Sequence, residues 1–539
     1  MPRQFPSAAL ILGFFVVCLS VGRAAQHQHG AVSEPEPDRL GTVSFPTSCS
    51  ASVQAGFERG VALLHSFGYN NAAKQFGEVE QREPSCAIAY WGDAMTRYHQ
   101  LWDRPSKSDL EAGWQVIQKA QAVNPKNDRE RLYIEAAAAF YRDPDNRSYE
   151  SRWADYSQAL LKLHDRYPDD HEAAAFYALS LLASPHAGDN DFADRKKAVR
   201  ILETLFATQP NHPGVAHYLI HACDNPEMAK QGLSAARRYA QIAPASPHAV
   251  HMPSHIFARL GLWQDDIQSN LASKAAAEKQ SQTPDRLHAM LFLEYAYLQT
   301  GLDNQAKAIE TEALKVSKQG FEGDREGYFY YAQVYFPALL ALEMKSWKDI
   351  LALQPPAGAG PEYQAIVDWA QAVAAGHLHE AASARTAVAK YDTALEAVKK
   401  TAYAYVADRM SIGRDEAHAW LAIAEGEDAE AIRLLTQAAA QQDKIGKGEV
   451  DLPAREMLAD MLLQLHRPED ALAQYTISLK TNPNRFNALY GAARAAELVH
   501  QRDLANRYYE RLLANCDRAT SSKRAELAHA KAQLGSSEN

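Results

Sequence analysis

The 539-residue sequence predicts an all-α chain built as a stack of helical hairpins. Three observations lead there. First, small residues, an aromatic and a closing proline recur on one ruler: Gly60, Ala72, Phe76 and Pro84, then Ala471, Tyr475 and Pro483. Ala505 and Tyr509 repeat that last pair 34 residues on, the length of one tetratricopeptide (TPR) hairpin. Second, long alanine-rich stretches carry no strand-like run of β-branched residues. Third, Pro125, Pro168, Pro210 and Pro244 punctuate the middle at positions suited to ending helices. The expected architecture is a TPR-like helical-hairpin superhelix, an α-solenoid whose first helices line an inner groove.

Residues 1–24 read as a signal peptide. Arg3 supplies the positive charge, Ala8 to Leu19 an apolar stretch too short to span a bilayer, and Gly22 and Ala24 the small residues for cleavage. The protein is therefore expected to be exported, periplasmic or secreted, with no stable membrane insertion afterwards. Residues 25–50 are expected to be disordered up to Cys49, being polar and Pro-rich. Cleavage after Ala24 would also expose an amine two residues before His27, a pattern suited to Cu(II) or Ni(II). Residues 51–354 should form the main array. The run PPAGAGP at 355–361 is a break or hinge, and 362–539 holds further repeats and a capping helix near Arg511 to Lys531.

Small residues at repeat positions 8, 20 and 27 let two helices approach closely, and the aromatic at 24 fills the space between hairpins. Cys49 and Cys86 flank the first hairpin, which favours a disulfide between them, with Cys223 and Cys516 remaining. The formal charge of −10 and the absence of a polybasic run argue against nucleic acid. P-loop, CxxC, GxSxG and dinucleotide-binding patterns are missing, so no catalytic residue is assigned.

The most distinctive stretch is 212–288, with His212, His217, His221, His248, His251, His255 and His288. His217 and His251 are 34 residues apart, as are His221 and His255. Placing Pro244 at repeat position 32 puts His217, His221 and Asp224 at positions 5, 9 and 12. The next repeat then has His248, His251 and His255 at 2, 5 and 9, and the one after has His288 at 2. All are groove positions. Placing Ala229 at position 20 instead moves His217 and His221 to positions 8 and 12. The first register is preferred because the echo then falls on equivalent sites.

Two functions follow. One is a scaffold that binds a protein or peptide in its concave groove, through His217, His221, Asp224, His248, His251, His255 and His288. The other is a metalloprotein or metal-dependent enzyme. Histidines at i and i+4 share a helix face, so His217, His221, His251 and His255 offer a site for Zn, Cu or Fe, with Asp224 and Cys223 nearby. HYLIH lacks the glutamate of HExxH, so no metalloprotease base is present. A purely structural, hydrogen-bonded set of buried histidines explains the same residues.

SFPTSC, GVALLHSF, CAIAYWGDAM, HPGVAHYLIHACD, HAVHMPSHIFARLGLW and NPNRFNALYGAARAAEL resemble segments of a family of exported bacterial TPR proteins of uncharacterised function. The resemblance spans about residues 40–518 and implies the signal peptide, the helical array and the pairing of Cys49 with Cys86. It implies no catalytic residue. The chain departs from the family at Cys223, where an aromatic is usual, and at Leu291, where an Asp is usual. It also departs at 445–450, where IGKGEV replaces a Lys-His-Pro segment.

Overall fold

The computed structural model describes residues 39–101, 104–184, 192–321, 326–401, 406–448 and 450–535. The expected signal peptide, the expected metal pattern at His27 and most of the expected disordered segment lie outside them. Among the described residues the chain is α-helical with no strand, and successive helices pack as antiparallel pairs.

The first hairpin pairs Ala51–His65 with Tyr69–Arg82. Its ruler residues do what their sizes require. A Cβ on Gly60 would sit 2.6 Å from the Phe76 ring and one on Gly92 2.4 Å from it. Phe76 therefore fills the seam between this hairpin and the helix Ala87–Met95 only because both neighbours lack a side chain. Pro84, Pro125, Pro168, Pro210, Pro244 and Pro483 all fall in connections between helices. Several helices open on side-chain caps, among them Ser106, Asn127, Ser148 and Asp170.

Residues 39–50 correct the expectation of disorder. They run extended across the first helices, with Phe45 fully buried against Phe57, Trp91 and Tyr133. Thr42 N–H donates to Asn211 O at 3.0 Å and Ser48 N–H to Glu130 Oε1 at 2.5 Å. Composition signalled polarity but not the aromatic anchor. Cys49 and Cys86 are disulfide-bonded, while Cys223 and Cys516 are buried free thiols.

The run 355–361 connects Trp347–Leu351 to Pro361–His377. Leu342 and Ile350 before it share one core with Val373 and Ala374 after it. The C-terminal segment is not one capping helix: Arg502–Asn515 ends, and a separate helix, Ala525–Gly535, follows.

The later repeats also fold back on the histidine region. Trp263 Nε1 donates to Asn484 O at 2.8 Å, and Asn484 Nδ2 returns a bond to Gly261 O at 3.1 Å. Phe486 N–H donates to Gln299 Oε1 at 2.9 Å. Beside it the buried Arg485 guanidinium bonds Glu456 at 2.6 Å, Glu343 at 2.7 Å and the Tyr295 hydroxyl. Such a buried charge persists only because every donor face finds an acceptor.

Candidate metal centre

Three successive first helices carry the histidines: Pro213–Cys223, then Pro247–His251 continuing as Pro253–Leu260, then Thr283–Gln299. Proline opens the first two at a position where no amide hydrogen is needed, behind the caps His212 and Ser246. The partner helices Ala229–Ile242 and Trp263–Lys279 hold them in register.

The rings gather into two trios. His217, His221 and His248 bring one ligand nitrogen each to within 4.8 Å of one another, and so do His251, His255 and His288. Each trio is an i, i+4 pair from one repeat completed by a histidine from the first helix of the next. The same device is thus written twice, one repeat apart. In the first trio, His217 Nε2 lies 3.1 Å from both His248 Nε2 and His221 Nε2. In the second, His251 Nε2 and His255 Nε2 are 3.0 Å apart. Nitrogen ligands on one tetrahedral ion, each bound at about 2.0–2.1 Å, sit roughly 3.3 Å apart.

The opposite ring nitrogens decide where the hydrogens are. His217 Nδ1 is 2.7 Å from the backbone oxygen of His65, which only accepts. His251 Nδ1 is 2.6 Å from Asn270 Oδ1, and Asn270 is oriented by giving its amide hydrogens to Asp266 O and Oδ1. His255 Nδ1 is 2.9 Å from Asp224 Oδ2. All three rings therefore carry hydrogen on Nδ1, so in their neutral form they present Nε2 as a lone pair. Burial drives His217 down to about 3 and His248 well below the ordinary histidine value, so these rings stay neutral. With both rings neutral, His251 and His255 face each other lone pair to lone pair. An added proton or a shared cation relieves that contact. Tying Nδ1 to an oxygen while Nε2 converges is the arrangement that orients histidine ligands around metals.

Two phenyl rings pack against the trios. The Phe67 ring lies 4.4 Å from His217 and 5.7 Å from both His221 and His248, centroid to centroid. Phe292 sits against the second trio at 4.7 Å from His251, 4.9 Å from His255 and 5.4 Å from His288. Asp224 supports His255 and is paired with Arg259 at 2.9 Å, so it steadies a ring instead of joining the donors. Cys223 lies in the core against Gly232, and burial lifts its thiol to about 12. It belongs to neither trio.

A third cluster, His65, Glu172 and His212, makes an instructive contrast. His212 Nδ1 accepts from Val215 N–H at 3.2 Å, so its Nε2 carries the hydrogen given to Glu172 Oε1 at 2.8 Å. His65 Nε2 bonds Glu172 Oε2 at 2.7 Å, and its Nδ1 pairs with the Tyr218 hydroxyl at 2.8 Å. Donors and acceptors alternate without conflict, and the neighbouring imidazoles hold the buried Glu172 carboxyl below its usual range despite the opposing effect of burial. This network is complete as it stands. It also fixes His65, whose carbonyl orients His217.

The sequence places these histidines on one groove. The structure turns them inward, with His217 and His251 only 0% and 2% exposed and His221 and His288 partly exposed. The four residues singled out as one site, His217, His221, His251 and His255, fall into two trios, each finished by His248 or His288. Repeat position 2 in both following helices was the signal for that grouping. Asn270, Asp266, Phe67 and Phe292 had no such signal, because they come from second helices, a turn and a later helix face.

Comparison with protein-family models gives no match, and comparison with curated proteins gives none either. Among solved structures, the chain is similar to the Naa15/Naa10 complex bound to HypK-THB, at 13% identity and a TM-score of 0.25, over 89% of this chain and 74% of that one. It is also similar to a human IFIT1 dimer with m7Gppp-AAAA, at 12% identity and 0.37, over 79% and 90%. A third likeness is to the APC/C hetero-tetramer Cut9-Hcn1, at 11% identity and 0.33, over 89% and 90%.

Proposed function

We propose that this helical-repeat protein is a transition-metal protein, with one ion site in each histidine trio. The observation that carries the reading is the approach of His251 Nε2 to His255 Nε2 at 3.0 Å, with both Nδ1 hydrogens already committed to Asn270 and Asp224. The same ligand pattern recurs in the first trio, where His217 Nε2 faces two other Nε2 atoms. An all-imidazole donor set suits Cu, Zn or Fe and is wrong for Ca or Mg, which need oxygen. A groove that grips a protein or peptide through these side chains is the weaker reading, because the rings are packed against each other and against Phe67 and Phe292. The disulfide Cys49–Cys86 supports action outside the reducing cytoplasm.

The test is elemental analysis of the full chain expressed in metal-replete, chelator-free medium. The expected result is up to two ions per chain, with loss from the second trio in the His251→Ala/His255→Ala double variant. Protein that stays metal-free, and takes up none of Cu, Zn or Fe on reconstitution, overturns the reading.

A further inference from the structure

We infer that the ion of the first trio has an open coordination position for a small protic ligand, which binds the ion through a nitrogen or oxygen atom and donates its hydrogen to Gln100. This rests on the metal reading above and adds two claims. The open position belongs to the first trio, and Gln100 selects ligands that carry an N–H or O–H group.

Ligand count supports an open position. His217, His221 and His248 bring three nitrogens together. Zinc sites with three protein ligands keep a fourth position for water or substrate, whereas closed structural sites use four. That position can be filled from a cavity of about 240 Å³ whose lining includes Gln100, Leu182, Ala183, Ser184, His221 and Asp224. The cavity forms where helices end. Leu182 and Cys223 close the helices His171–Leu182 and Pro213–Cys223, and Gln100 follows the helix Ala87–Met95. His221 is partly exposed, whereas His217 one turn earlier is fully buried.

The cavity meets the two trios differently. Its wall includes His221, a donor of the first. It reaches the second through Asp224, which holds the Nδ1 edge of His255, opposite the Nε2 that faces His251. An incoming ligand therefore meets the first trio at a donor ring and the second from behind one.

Gln100 supplies the selectivity. It is 6% exposed, and its Oε1 has no hydrogen-bond partner among the described residues. An amide oxygen only accepts, so what it lacks is a donor. A buried acceptor left unpaired is costly, and a ligand N–H or O–H removes that cost. Leu182 and Ala183 add apolar wall. The volume exceeds the roughly 150 Å³ that holds one benzene, so a single-ring molecule fits. Binding is a ligand exchange: water leaves the ion, the lone pair of the ligand takes its place, and no electron is transferred.

The experiment loads the full chain with Co(II), whose visible spectrum reports coordination, and titrates it with imidazole and with N-methylimidazole. Both probes offer the same kind of lone pair, but only imidazole carries an N–H. Cobalt is counted before and after each titration. Imidazole should shift the wild-type spectrum and bind about tenfold more tightly than N-methylimidazole. Gln100→Leu should bind the two probes equally, with cobalt content unchanged. His221→Ala, which keeps the second trio, should lose the shift. A loaded wild type whose spectrum imidazole leaves unchanged, or changes only by stripping cobalt, sinks the open position and leaves the metal reading standing. Equal binding of the two probes by wild type removes Gln100 as the acceptor. A shift that persists in His221→Ala moves the ligand to the second trio and overturns the assignment. A chain that takes up none of Co, Cu, Zn or Fe removes the metal reading and this inference together.

Discussion

His255 Nδ1 sits 2.9 Å from Asp224 Oδ2 while its Nε2 sits 3.0 Å from the Nε2 of His251. One carboxylate therefore fixes which nitrogen of His255 is offered to the trio. The other oxygen of Asp224 accepts from Arg259 Nε at 2.9 Å, and Arg259 Nη1 donates to Lys447 O at 3.0 Å. The second trio is thereby tied to the connection that follows the helix Asp428–Ile445.

Asp224→Asn should weaken metal binding at the second trio by about 10–100-fold, the usual cost of losing the group that orients a ligand. The first trio should keep its affinity. Chelator competition resolves the two sites; equal loss at both would show that Asp224 acts on the whole fold.

Metal loading should stabilise the chain, since only the folded state assembles the trios. With free metal at a thousand times its dissociation constant the gain is about 4 kcal/mol per site. Calorimetry with and without chelator should show a higher Tm for the loaded protein. His217→Ala/His251→Ala should abolish most of the difference.

Glu172→Ala should destabilise the fold by about 2–5 kcal/mol, because two buried imidazole N–H groups lose their acceptor. Metal stoichiometry should survive, since Glu172 reaches the trios only indirectly, through His65 and the helix cap His212. Urea unfolding paired with elemental analysis separates the two effects.

Glu416 is buried, accepts from Trp369 Nε1 at 2.8 Å, and is pushed up by desolvation to about 8 from an ordinary 4.5. Between those values the folded chain holds a proton that the unfolded chain releases. Stability should therefore fall as pH rises through that window, by on the order of a few kcal/mol. Glu416→Gln should flatten this part of the stability–pH curve, measured by denaturant unfolding at pH 5, 7 and 9.

Replacing both Cys49 and Cys86 with serine should cost about 3–4 kcal/mol, given a sequence separation of 37 residues across the bridge. Reduction of the native protein should lower Tm by a comparable amount and leave the histidine trios, on other helices, able to bind metal.

Much of the fold was legible because repeats are local. Gly60, Phe76 and Pro84 act within one hairpin and its neighbour, so a spacing rule suffices to place them. The i, i+4 pairs His217/His221 and His251/His255 were legible for the same reason. Residues 39–50 were not, because the anchor is a single residue, Phe45, in a polar stretch.

By itself, the sequence determined an all-α chain of TPR-like hairpins and put the histidines on successive first helices. Tertiary structure alone decided that His248 and His288 join the two groupings and that Asp224 lies against His255 and Arg259. It also decided that Trp263 and Arg485 close the later repeats onto the histidine region. The division has one cause. Helical period and repeat length are set by backbone geometry within a few dozen residues. Which ring nitrogen carries hydrogen, and which rings converge, depends on partners such as His65 O, Asn270 and Asp224, brought in from other helices by packing.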